Sequence, residues 1–268
     1  MNLQSNHSIL SSSKNGFNKL SRIAVFFSAV MLMNLGTAML SQVSAQNANI
    51  EPGAWYRLKT MFRGEGESLE GNQASSSFKG GAAFMDKNQN VTGQYWRFEA
   101  SNKGYYRLKT LFRGDGECLE GNQAASKVHG GAAFMDKCQN VSGQLWKIVP
   151  AGNGYFRLKT MFRGDGECLE GNQSASKVHG GAAFMDKCQN VSGQLWKFEK
   201  QNITLCNGVL YLVKDDKTIW QLSRTGETHI GVRCNKLVCK NNTLICESTD
   251  GYSWKYNGKP HNWTRMAK

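Results

Sequence analysis

The chain repeats itself three times, and this limits what it can fold into more than any local propensity does. Leu58, Leu108 and Leu158 open matching blocks set 50 residues apart. Block two reads YRLKTLFRGDGECLEGNQAASKVHGGAAFMDKCQNVSGQLWKI from Tyr106. Block three, from Phe156, is nearly the same text, and block one, from Tyr56, has diverged further. Three copies without a fourth point to a closed threefold object, not an open solenoid.

Each block reads as four short strands, which makes the chain all-β. In block two these are Tyr106 to Phe112, Glu117 to Asn122, Ala132 to Lys137 and Gln144 to Val149. Gly114-Asp115-Gly116 supplies a turn between the first two, and helical spacing at i, i+3, i+4 is absent. The Arg113-Gly114-Asp115 and Arg163-Gly164-Asp165 tripeptides fall at this turn. They read as turn chemistry and not as a cell-adhesion signal, and block one has Glu65 in place of the Asp. His129 and His179 stand in a polar loop with no companion ligand and read as loop residues.

The cysteines test the register. Block two holds Cys118 and Cys138, and block three holds Cys168 and Cys188 at the same places. Block one changes both places together, to Ser68 and Asn88. Joint loss is what paired sulfurs show, so the predicted disulfides are Cys118–Cys138 and Cys168–Cys188. Each closes a loop of about 20 residues and contributes roughly 3 kcal/mol in the chain-entropy model. Block one is expected to hold its loop by packing alone. Eight cysteines, an even number with no C-x-x-C, fit an oxidising compartment and argue against a zinc site.

The N-terminus agrees with export. Lys14, Lys19 and Arg22 flank an apolar run from Ile23 to Met33, and Val43-Ser44-Ala45 offers a small-residue cleavage site. A signal peptide over 1–45 is expected, with a secreted or extracellular product, the periplasm and cell surface included. No stable membrane span is expected elsewhere. Removing those three cations, with no acid lost, takes the net charge from +13 to +10. The basic residues are spread through every block among Asp and Glu, without a basic run, so nucleic acid is not an expected partner.

Each block carries a leading aromatic-Arg-Leu, a Cys-Leu-acidic triplet (Ser68 replacing the Cys in block one), a second Cys position, and a closing Gln-x-Trp. The last are Gln94-Tyr95-Trp96, Gln144-Leu145-Trp146 and Gln194-Leu195-Trp196. Over about residues 53–200 this order resembles the ricin B-type (Q-x-W) β-trefoil lectins. The resemblance implies a three-repeat β-trefoil over 46–200, with repeats at about 53–102, 103–152 and 153–200. It makes Trp96, Trp146 and Trp196 core residues, each contributing roughly 1.5–3 kcal/mol on burial. It also implies a sugar-binding function.

The family's galactose site is not carried over. Glu70, Glu120 and Glu170 stand where its binding repeats have Asp, and Phe84, Phe134 and Phe184 where they have Gln. Asp86, Asp136 and Asp186 stand where an aromatic platform is expected, and Gly93, Gly143 and Gly193 where Asn precedes the Gln. Another site is nevertheless readable. Phe134 and Asp136 share a face by strand alternation, and Glu120 in the family's Asp position would face them. With Asn122, Gln139 and Asn140 nearby, the ring covers sugar C–H faces and the carboxylates accept from hydroxyls. The equivalents are Glu170, Phe184, Asp186 and Asn190 in block three and Glu70, Phe84 and Asp86 in block one. The competing reading makes Phe134 core and pairs Glu120 and Asp136 with surface cations. No cofactor is expected, although two carboxylates also suit an amino sugar or a calcium ion.

After Lys200 the pattern changes. Leu210-Tyr211, Asp216 and Ile219-Trp220 recur as Leu244-Ile245, Asp250-Gly251 and Ser253-Trp254, displaced by 34. The segment is similar to tectonin or tachylectin-type β-propeller repeats. Two repeats cannot close a propeller, so residues 201–268 are either a small cysteine-stapled β domain or one part of an oligomer joined through it. Cys206, Cys234, Cys239 and Cys246 allow three connectivities.

The functional expectation is a multivalent carbohydrate-binding, lectin-like protein of unspecified sugar, recognising a free glycan or a glycoconjugate. The alternative is a trefoil acting by protein contact, as an inhibitor or adhesin. Catalysis is not expected, because the same acid pair in every block suits repeated binding sites better than one asymmetric active centre.

Overall fold

The structure, a computed structural model, describes residues 50–71, 81–89, 91–121, 131–171, 181–223 and 226–267. The expected leader, Asn122, His129 and His179 lie outside the described residues. Block one contributes β1 (Trp55–Thr60), β2 (Glu67–Glu70), β3 (Phe84–Lys87) and β4 (Trp96–Ala100). Block two contributes β5 (Tyr106–Thr110), β6 (Glu117–Glu120), β7 (Phe134–Lys137) and β8 (Trp146–Gly152). Block three contributes β9 (Tyr155–Thr160), β10 (Glu167–Glu170), β11 (Phe184–Lys187) and β12 (Trp196–Gln201). The outer strands of the blocks close a barrel in the order β1-β12-β9-β8-β5-β4, and each inner pair forms a two-stranded hairpin. This is a β-trefoil with the expected four strands per block.

Three features of the repeated text build the closure. Leu58, Leu108, Leu158 and the three Gln-x-Trp indoles are fully buried in one core. Each indole N–H donates to the leucine carbonyl of its own hairpin, at 2.8 Å for Trp96 to Leu69, Trp146 to Leu119 and Trp196 to Leu169. The polar edge of a large apolar ring is thereby satisfied inside the core. The glycine after each Glu lets that ring approach: a Cβ on Gly171 would meet Trp196 at 3.0 Å and Met85 of block one at 2.9 Å. At the threefold axis the Gly-Ala-Ala-Phe runs close a ring. Ala83 N–H donates to Ala133 at 2.9 Å, Ala133 to Ala183 at 2.8 Å, and Ala183 back to Ala83 at 2.8 Å.

Cys118 is bonded to Cys138 and Cys168 to Cys188, with Cα atoms 5.0 Å apart in both. Block one does not rely on packing alone, which corrects the expectation. Ser68 Oγ donates to Asn88 Oδ1 at 2.5 Å, and the Asn88 amide donates to Glu65 O at 2.5 Å. The two replacements are polar and complementary, so a hydrogen bond spans the gap that sulfurs span elsewhere.

Beyond β12 the chain forms two four-stranded antiparallel meanders. The first is β13 (Ile203–Cys206), β14 (Val209–Val213), β15 (Ile219–Ser223) and β16 (Gly226–Gly231). The second is β17 (Cys234–Lys240), β18 (Thr243–Ser248), β19 (Ser253–Tyr256) and β20 (Trp263–Arg265). They share a core of Tyr211, Ile219, Ile230, Leu237 and Leu244. Disulfides Cys206–Cys239, joining β13 to β17, and Cys234–Cys246, within the second sheet, select one of the three connectivities.

This small unit docks on one of three equivalent places around the trefoil. Trp55 and Tyr95 of block one, with Leu111 of block two, pack against Ile203, Leu210, Leu212, Trp220 and Leu222. The residues 50 and 100 positions after Trp55 are Tyr105 and Tyr155, and those after Tyr95 are Leu145 and Leu195. Tyr95 is fully buried, and burial first, then the Glu227 carboxylate, pushes its phenol pKa up against the opposing pull of Arg57. Block one has therefore exchanged two residues for larger rings at the place where the extra sheets sit.

Candidate functional site

Strand register decides which predicted site residues meet. Glu120 pairs across the hairpin with Phe134, and Cys118 with Asp136. All four lie on one face of β6–β7, while Leu119 and Met135 enter the core from the other. The same pairing places Glu170 beside Phe184 and Glu70 beside Phe84, so each block assembles the same group.

The phenylalanines, expected to offer a ring face to a sugar, are buried. Phe84, Phe134 and Phe184 are 1, 6 and 1 % exposed. Their backbones bridge to the neighbouring block, Phe134 to Ala82, Phe184 to Ala132 and Phe84 to Ala182, which draws them into the axial cap. The same closure that makes the fold threefold thus removes the rings from solvent.

The glutamates are tied to the closing Gln of each block. Glu70, Glu120 and Glu170 are buried, and each accepts from the Gln of its own Gln-x-Trp: Gln94 at 3.1 Å, Gln144 at 2.9 Å and Gln194 at 2.9 Å. The Gln144 amide also donates to Lys137 O at 2.9 Å, and its carbonyl accepts Gln139 N–H at 2.8 Å. One amide therefore ties both hairpin strands to the 3₁₀ turn Ser142–Gln144, with its two ends used for opposite hydrogen-bond senses.

The aspartates lie nearer the surface. Asp86, Asp136 and Asp186 are half-buried, each accepting the next residue's N–H at 2.8 Å. Asn140 and Asn190 are exposed beside them in sequence. Among the described residues no group of three or more His, Cys, Asp or Glu is arranged to hold a metal ion. The Arg-Gly-Asp turns do not present their arginines: Arg113 and Arg163 pair with Glu117 and Glu167, with side chains only 6 and 8 % exposed.

Aromatic surface does exist, at a place read only as a strand end. Phe62 is 49 % and Phe162 47 % exposed, each beside an exposed Met. Phe162 N–H donates to Ser142 O and Phe62 N–H to Ser192 O, both at 3.2 Å. The exposed ring of one block is therefore anchored on the Gln-x-Trp turn of the block before it. Phe112 N–H makes the equivalent bond to Thr92 O at 3.2 Å, but its neighbour Leu111 packs against the C-terminal sheets. A pattern confined to one block does not reveal a surface shared between blocks.

Residues 92–173 match the family described as Ricin-type beta-trefoil lectin domain-like. No curated protein matches the chain. Among solved structures it is similar to a designed threefold symmetric protein, ThreeFoil, at 23 % identity, covering 54 % of this chain and 97 % of that one, with a TM-score of 0.44. It is similar to a BEL β-trefoil at 14 % identity, covering 57 % of this chain and 97 % of that one, with a TM-score of 0.45. A mosquitocidal holotoxin is similar at 16 % identity over 82 % of this chain and 28 % of its own length, with a TM-score of 0.48.

Proposed function

We propose that this is an exported carbohydrate-binding protein that works by recognition and not by catalysis, with two working sites on its trefoil. The observation that carries this is the repeated rim formed where Phe162 meets the Ser142–Gln144 turn and Phe62 meets Ser192–Gln194. At each rim an exposed ring offers an apolar face for sugar C–H groups. The adjoining hairpin contributes Asp136 or Asp186 and the following Asn140 or Asn190, which suit hydroxyls. The buried Glu–Gln pair serves as the rigid support behind them. The lectin-like family match over residues 92–173 and the four disulfides support the reading. The third rim, where Phe112 meets the Thr92–Gln94 turn, adjoins the docked C-terminal sheets, and this is why two sites are proposed instead of three. Two weak sites on one rigid body gain avidity on a surface carrying many copies of a glycan.

The test is a glycan array with the mature chain, run with calcium and with a chelator. Binding to a defined sugar set is expected in both lanes, and Phe62→Ala with Phe162→Ala should lower retention at least tenfold at unchanged melting temperature. Asp136→Asn with Asp186→Asn should do the same. A blank array on folded protein would overturn the reading and assign the Met–Phe turns to a protein partner. Binding lost only with the chelator would place a cation on the aspartates.

A further inference from the structure

The C-terminal unit holds a cleft of its own, of about 310 Å³, lined by Trp254, Trp263, Val232, Arg233, Asp250 and His261 among others. It lies at the corner where β16 hands over to β17, against β18, β19 and the edge strand β20. Trp254 and Trp263 are half-buried, packed on the core of the two sheets on one side. Val232 is 54 % exposed beside them. The apolar part of the cleft is therefore two indoles and a branched aliphatic, at a size that suits a single sugar ring.

The corner is built to hold these groups. The Ile230 carbonyl accepts both the Trp263 indole N–H at 2.8 Å and the His261 backbone N–H at 2.9 Å. A Cβ on Gly231 would sit 2.8 Å from Trp263 Nε1, so glycine is what lets the indole lie over the backbone. With its N–H committed, Trp263 offers the cleft a ring surface and not a donor. Arg233 and His261 both have left-handed backbones, φ 63° and 61°, a conformation uncommon for a residue such as Arg. Each is pinned: the Arg233 carbonyl accepts Thr249 N–H at 3.0 Å and Ser248 Oγ at 2.9 Å, and His261 is held by Ile230. Both residues line the cleft.

The charge pattern selects the ligand. Asp250 accepts Tyr252 N–H at 3.1 Å, which commits its carboxylate to its own hairpin turn. Arg233 is exposed, and among the described residues nothing pairs with its guanidinium. A planar fork in an indole-lined cleft matches a carboxylate carried on a pyranose ring. We infer that this cleft is a second, independent glycan site that takes a terminal acidic sugar of the uronic or sialic type, its ring stacked on Trp254 and Trp263 and its carboxylate on Arg233. The site shares no residue with the trefoil rims and does not rest on that reading.

Tryptophan fluorescence of the full mature chain should report the site directly, titrated with methyl glucuronide and methyl sialoside against neutral methyl glucoside. At least one acidic glycoside should give a saturable change at a midpoint at least fivefold lower than the neutral one. Arg233→Gln should remove that preference at unchanged melting temperature, and Arg233→Lys should keep part of it. Asp136→Asn with Asp186→Asn should leave it intact, whereas in the array they reduce trefoil binding. No saturable response to either acid, an equal response to the neutral sugar, or a preference that survives Arg233→Gln would each overturn the inference.

Discussion

Block one and its two sister blocks share a backbone plan but answer different demands. Blocks two and three close their hairpins with sulfur. Block one closes its hairpin with Ser68 and Asn88 and spends its divergence on Trp55 and Tyr95, where the C-terminal sheets dock. Its turn also carries Glu65, long enough to reach Lys59 at 2.8 Å and Lys197 at 2.9 Å, where the sister turns have Asp. A threefold scaffold tolerates this because each block contributes the same buried Leu, Trp and Met to the core whatever its outer edge carries. The difference teaches that symmetry is kept where the blocks meet one another and given up where one of them meets something else.

That comparison can be broken at several depths. The largest effect should come from giving block two the chemistry of block one. Cys118→Ser with Cys138→Asn should cost about 3 kcal/mol, since a hydrogen bond leaves the unfolded chain free while a disulfide does not. Thermal unfolding should fall by about 6–12 °C for a chain of this size. A loss no larger than that of Ser68→Ala in block one would show that the two closures are equivalent.

Next in size is the docking place. Tyr95→Leu restores the residue of the sister blocks and should cost about 1–3 kcal/mol, because a fully buried ring leaves a cavity against Leu212 and Leu222. Hydrogen exchange should quicken in β13 to β15, and Leu145→Ala at the matching, half-buried place should have a smaller effect. Equal exchange in both variants would mean that the sheets are held by other contacts.

The smallest effect is electrostatic. Hydrogen bonds from Lys59 and then Lys197 hold the Glu65 carboxyl at a pKa of about 2, below its ordinary 4.5. A depressed carboxyl contributes stability that is full above its unfolded pKa and lost as pH falls through the folded one. The contribution therefore fades between about pH 4.5 and 2. Because Glu65 is largely exposed, solvent screening limits it to less than about 1 kcal/mol. Wild type and Glu65→Gln should differ slightly above pH 4.5, converge near pH 2, and converge at all pH in high salt. A difference that persists at pH 2 would mean the ion pairs are not its source.

Much of the molecule was legible in the text of its repeats. The period of 50 set three blocks, strand alternation set four strands in each, and the joint change at Ser68 and Asn88 tied the cysteine places together. These are local or periodic properties, and they survive in one dimension because each block solves the same packing problem. Residue numbers could also say that Glu120, Phe134 and Asp136 share a hairpin face. They could not say that the ring goes inside, since that follows from the bridge between Phe134 and Ala82 of another block. Nor could they say that Phe162 stands over the turn of the block before it, or that Trp55 and Tyr95 await two further sheets. The C-terminal cysteine pairing and the cleft at Arg233 and Trp263 belong with these. Each joins residues far apart in the chain, and only closure in three dimensions determines which distant surfaces meet and which side chains are left facing water.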